Sequence, residues 1–143
     1  MIKLILRANL FVLGAAAIGI GLSMLLLGSD ATGQFFAALI NFFLSDPQEL
    51  EGMSSPNVDS ELRFYSVFWV AYGVIVLRAA SSLEENLKLV PIFSGLFFAG
   101  GAGRLLSLMT AGQQHPLFIL LMIIELMLPL LLIVLWAGIN RQR

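Results

Sequence analysis

Residues 116–138 read "PLFILLMIIELMLPLLLIVLWAG". Only Glu125 in this run carries a charge, and the run exceeds the about 20 apolar residues that a helix needs to cross the hydrocarbon core of a bilayer. A segment so apolar belongs in lipid or deep inside a large protein, and a chain of 143 residues cannot supply the second setting. The whole composition agrees: 59% of residues are hydrophobic, 12% are charged and the mean hydropathy is +0.93. Such values predict a membrane protein rather than a soluble domain.

Three more blocks of the same kind lie upstream, from about Ile5 to Gly28, from about Leu62 to Ala80 and from about Leu87 to Thr110. Polar punctuation, "SSLEEN" and "AGQQH", separates the last three. The expected architecture is therefore all-α, a polytopic membrane protein with four transmembrane helices in one antiparallel bundle. Length leaves no room for a separate soluble domain. Pro91 suits the first turn of the third helix, where its missing N–H costs little. Pro129 lies inside the fourth and leaves the Glu125 carbonyl without its usual donor.

Lys3 and Arg7 lie at the start of the first block, so it competes with a secretory signal peptide. Its apolar core is longer than a signal h-region, and "GSDATG" makes a poor cleavage site, which favours an uncleaved helix. Residues 29–61 then form a loop long enough to need a reason. "GQFFAALINFFL" predicts a short helix over about 34–44, with Phe35, Phe36, Leu39, Ile40 and Phe43 on one flank. It is too short to span and suited to lie at the interface or over the bundle mouth. "SDPQELEGMSSPNVDSE" reads as acidic and solvated.

Basic residues set the expected orientation. Lys3, Arg7, Arg78, Lys88, Arg141 and Arg143 fall on the side of both termini, and Arg63 and Arg104 toward the other. The positive-inside rule puts both termini in the cytoplasm of a bacterial cell, with the inner (plasma) membrane as the location. A net charge of −1 and the lack of a long basic run argue against nucleic acid as a partner. The absence of cysteine excludes thiolate metal sites and cysteine nucleophiles.

Chemistry is concentrated in a few polar groups. Glu125 lies roughly 13 Å below the far end of its helix, near the midplane, and Arg104 roughly 9 Å below the same surface. Either charge alone would cost about 2.5 to 3.5 kcal/mol at such depth, so the two are expected to pair across neighbouring helices. Glu61, Tyr65, Phe68 and Tyr72 recur at helical spacing and predict one stripe facing the bundle. His115 and Ser107 sit at the same outer level, and together these groups are expected to line a small polar pocket. Arg63 points elsewhere, toward headgroups or the acidic loop. Gly100 and Gly101, then Gly95, Ala99 and Gly103, and in the first helix Ala15, Gly19, Ala17 and Gly21, allow close backbone approach. The same groups also have plain structural readings: a salt bridge locking two helices, an interfacial histidine beside a turn, tyrosines packed with satisfied hydroxyls. Trp69 and Trp136 carry no functional weight in this reading. "GGAGR" follows no strand and is no nucleotide fingerprint, and His115 lacks companions for a metal. No cofactor and no metal is expected.

"ELRFYSVFWVAYGVIVL" and "GLFFAGGAGRLLSLMTAGQQHPLFILLMIIELMLP" together resemble a bacterial family of small four-helix membrane proteins catalogued as domain of unknown function 4345. The similarity covers nearly the whole chain and is strongest from Glu61 onward. Its landmarks map onto Glu61, Arg63 and Tyr65, then Gly101, Gly103, Arg104 and Ser107, then His115, Pro116 and Glu125. The Phe-rich first loop is the least family-like part. The resemblance implies membership and carries no activity with it.

Three functions compete. The first is a binding or accessory protein whose bundle holds a lipid-like or small amphipathic molecule, or docks beside a larger membrane-protein partner. Its contacts are membrane lipids, and small residues on its helices also suit a homo-oligomer. The candidate polar site is Arg104, Glu125, Glu61, Tyr65, Tyr72, Ser107 and His115, with no catalytic residue. The second is a small proton-coupled transporter using Glu125, which Arg104 argues against because a neighbouring guanidinium holds a carboxylate ionised. The third is an intramembrane enzyme, for which no nucleophile or zinc motif is present.

Overall fold

The computed structural model describes residues 1–44 and 48–141. Ser45, Asp46 and Pro47 of the acidic segment, and Arg143 among the basic residues counted for orientation, lie outside the described residues. Helix α1 spans Ile2–Leu27, α2 Ser29–Leu44 and α3 Pro56–Ser81. A single turn, α4 (Leu83–Asn86), passes through a 3-10 turn at Leu87–Leu89 into α5 (Val90–Ala111), and α6 covers Pro116–Asn140. Among the described residues, four helices are long and apolar enough to cross a membrane, counting α4 to α5 as one.

Local chemistry sets the boundaries. Gly28 ends α1 at φ 92°, a conformation that a side chain disfavours, and the chain re-enters a helix at once. The helix expected over about 34–44 therefore begins at Ser29 and runs for 16 residues. Pro56 starts α3 in its first turn with Asp59 near the positive helix end, so the helix begins earlier than the apolar pattern at Leu62. Pro91 lies in the first turn of α5, and Pro129 sits buried inside an unbroken α6.

Helices α1 and α3 run in opposite directions. Gly14 meets Gly73, and Gly21 meets Ser66 and Val70 farther along. A Cβ on Gly73 would lie 2.6 Å from the Gly14 carbonyl oxygen, so both positions must be glycine for this crossing. Gly101 likewise sits against Glu125, where a Cβ would come within 2.9 Å of the glutamate Cβ. The bundle is thus two close pairs, α1 with α3 and α5 with α6, joined mainly through α1 and α6. Gly21 makes the close approach expected of it and Ala17 is buried, whereas Gly19, Gly95 and Gly103 face open space. Gly19 and Gly95 are exposed, as are the apolar residues Val12, Leu96 and Val134.

Packing is uneven along the bundle. The half nearest both termini is solid, built on Leu6, Leu10, Leu13, Val76, Val90, Phe93, Leu132 and Ile139. Lys3 pairs there with Glu84 on the surface, and Arg7 donates to the Ser81 carbonyl, tying α1 to the end of α3. At the opposite end, Ala37, Leu50 and Leu117 form a smaller cluster with Phe36, Ile40 and Met53. Only part of the expected aromatic flank of α2 turns inward: Phe36 and Ile40 pack, while Phe35, Leu39 and Phe43 are exposed. The inward face of α2 is instead its small residues, Thr32, Gly33 and Ala37, because these let the helix lie close to Leu50 and Met53.

Candidate functional site

Between the solid half and the α2 cluster the bundle is hollow. A cavity of about 410 Å³ is walled by α1, α3, α5 and α6 and roofed by Thr32, Gly33, Phe36 and Met53. Its volume falls in the about 300–1,000 Å³ range of small-molecule sites. Most of its wall is apolar, with Leu13, Ala17, Ile20, Leu62, Phe97, Leu121 and Ile124 prominent. At one side the apolar wall gives way to Arg104 and Glu125.

The position of that pair follows from the α5–α6 contact. Gly101 lets the α5 backbone approach Glu125, and Arg104, about one turn farther along, then reaches back to it. Arg104 Nε donates to Glu125 Oε2 at 2.8 Å. The glutamate side chain is 5% exposed and the arginine side chain 31%. The guanidinium also lies over the Phe118 ring, 5.6 Å from its centroid, a distance at which the ring quadrupole attracts a cation. Only Nε is used in the pairing, so the bidentate geometry open to an arginine and a carboxylate is not adopted. Neither terminal guanidinium nitrogen has a hydrogen-bond partner among the described residues.

A second, wider opening of about 1,080 Å³ lies between α3 and α5, lined by Tyr65, Trp69, Gly100, Gly103, Arg104 and Ser107 among others. Tyr65, Trp69, Arg104, Phe118 and Glu125 line both spaces, so the polar end of the cavity faces this side cleft. Lower in the bundle α3 and α5 touch through aromatic rings. Tyr72 stacks on Phe97 and its hydroxyl donates to the Phe93 carbonyl at 3.1 Å, while Trp69 meets the Phe97 edge.

The expected stripe on α3 is therefore divided. Tyr65 lines the site and is half exposed, whereas Tyr72 packs between α3 and α5 as a satisfied core tyrosine below it. Glu61 is exposed and lines neither space, and Phe68 is exposed too, which corrects the expectation that both face the bundle. The reason is the α1–α3 crossing: Ser66 and Gly73 occupy the buried line of α3, which turns the aromatic stripe to the flank. Ser107 lines the cleft and accepts a hydrogen bond from Gln114 at 2.8 Å. His115 is not at the site. Its Nδ1 accepts from the Leu117 N–H at 3.1 Å as the N-cap of α6, and its Nε2 lies 3.1 Å from the Gln48 carbonyl oxygen.

Arg63 meets the acidic segment rather than the site. Its Nε donates to Asp59 at 2.7 Å and its Nη1 to the Leu25 carbonyl at the end of α1. Asp59 in turn accepts from the Ser29 N–H at 2.8 Å. One arginine and one aspartate thus join α1, α2 and α3, and hold the start of the roof in place. Trp69, given no role from sequence, lines both spaces, and the roof residues Thr32 and Gly33 were likewise missed. The spacing of Thr32, Gly33 and Ala37 on one helical face was the available signal.

Helix length, apolar outward faces and one polar locus define a small polytopic helical bundle with an ion pair at the edge of its cavity. The chain belongs to the family described as Domain of unknown function (DUF4345), whose model matches residues 5–136. Neither a curated protein nor a solved structure matches it.

Proposed function

We propose that this protein is an integral membrane protein whose bundle holds a lipid-like or small amphipathic molecule, either on its own account or as an accessory subunit. One observation carries the reading: an apolar cavity converges on Arg104, whose terminal nitrogens have no partner among the described residues. Unmet guanidinium donors beside an apolar volume match the two ends of an amphiphile. The positive-inside distribution supports a plasma-membrane protein with both termini in the cytoplasm, so the cavity belongs to the outer half. The ion pair counts against proton-coupled transport, because Glu125 is already engaged by Arg104.

The test is extraction of the protein with its surrounding bilayer in polymer nanodiscs, followed by mass spectrometry of everything that co-purifies. The reading expects one amphiphile enriched well above its share of the bulk lipid, and depleted in a variant with Ala17→Phe filling the cavity. A lipid profile identical to that of the bulk membrane overturns it.

A further inference from the structure

The chemistry around Arg104 narrows the ligand class, on the premise that the cavity is a binding site. Arg104 and Glu125 are the only charged residues lining either space among the described residues, and they form a pair of zero net charge. A second anion beside Glu125 would set two negative charges against one positive in apolar surroundings, where Coulomb terms are large and poorly screened. A cationic head would double the positive charge by the same reasoning. What the pair does offer is donors. The two terminal nitrogens of Arg104, the Tyr65 hydroxyl and the Trp69 indole N–H have no hydrogen-bond partner among the described residues. Donors without net charge suit carbonyl oxygens.

Access has a structural route as well. The roof is tied down through Arg63, Asp59 and Ser29, whereas the side cleft between α3 and α5 already reaches the polar end. Gly103 lines that cleft, and a Cβ there would meet nothing within 4 Å, so the passage is open at this point. We infer that the site takes an uncharged amphiphile, which passes sideways from the bilayer between α3 and α5 and presents an ester or amide carbonyl to Arg104 and Tyr65.

Fluorescence of Trp69 reports on the site directly once Trp136, in the opposite half, is replaced by Phe. The probes share one chain: a doxyl-labelled stearate methyl ester, the matching free acid held ionised by alkaline buffer, and the matching choline ester. The methyl ester is expected to quench saturably, with half-saturation at least about tenfold lower than either charged probe. Gly103→Leu, whose Cβ meets no neighbour and whose side chain adds bulk at the cleft, is expected to slow or weaken quenching by the ester. Gly95→Leu, equally open but outside both spaces, is expected to leave it unchanged. Equal saturable quenching by all three probes overturns the uncharged head group and leaves the binding reading standing. Equal effects of Gly103→Leu and Gly95→Leu overturn the side route. Quenching that never saturates for any probe overturns both this inference and the binding reading beneath it.

Discussion

Arg104 Nε lies 2.8 Å from Glu125 Oε2, with the glutamate almost wholly enclosed and the arginine only partly so. An ion pair arranged this way is a poor stabiliser in itself, since both charges lose solvation and only one hydrogen bond is gained. Loss of either partner is another matter, because the survivor stays in an apolar setting. Arg104→Met is therefore expected to lower stability by about 3 kcal/mol, and the combined Arg104→Met, Glu125→Met variant to recover most of that loss. Unfolding by denaturing detergent, followed by circular dichroism, measures the cycle. Additive single effects would show that the two residues are not coupled.

Two helical glycines of this chain, Gly73 and Gly103, have opposite expected responses to the same change. Gly73→Ala places a methyl 2.6 Å from the Gly14 carbonyl oxygen and forces α1 from α3, for an expected loss of about 1–3 kcal/mol. Gly103→Ala meets no neighbour and improves helix propensity, so a gain of up to about 1 kcal/mol is expected. Thermal unfolding of the two variants side by side reads the difference in sign.

That division shows where sequence reading succeeds and where it stops. Four apolar blocks, Pro91 at a helix start and the coming together of Arg104 with Glu125 were legible, because each depends on composition or on spacing along neighbouring helices. Which face of a helix turns inward was less so. Glu61, Tyr65, Phe68 and Tyr72 form a periodic stripe, yet Gly14 against Gly73 decides the rotation of α3 and sends Glu61 and Phe68 outward. Periodicity reports that a face exists, and a contact between remote residues selects which face is buried. A small polar pocket at Arg104 and Glu125 was expected, but the apolar cavity behind it was not legible, since its walls come from α1, α2, α3, α5 and α6 together.

The joint at Gly28 gives a local prediction. Its φ of 92° disfavours a side chain, and a Cβ would lie 2.6 Å from Arg63 Nη2 and 2.8 Å from Asp59 Oδ1. Gly28→Ala is expected to cost about 1–2 kcal/mol and to loosen α2 from the bundle. Limited proteolysis checks this: cleavage in residues 48–55 should become faster while the α5–α6 region stays protected. Asp59→Asn, which keeps an acceptor for the Ser29 N–H, is expected to have a smaller effect.

His115 anchors the opposite side of the roof, and its role as a cap predicts which replacements it tolerates. Nδ1 accepts from the Leu117 N–H, so the proton of the neutral ring sits on Nε2, facing the Gln48 carbonyl oxygen. Asn is a good N-cap and can still accept from the helix, whereas Ala leaves that N–H unmet. His115→Ala is therefore expected to destabilise by about 1 kcal/mol and His115→Asn by distinctly less. Amide hydrogen exchange at Leu117 is the direct readout, faster in the alanine variant and near the parent rate with asparagine. Binding of the uncharged probe should persist in both, because His115 lines neither the cavity nor the cleft. Loss of that binding in the asparagine variant would place the histidine in the site and not in the cap alone.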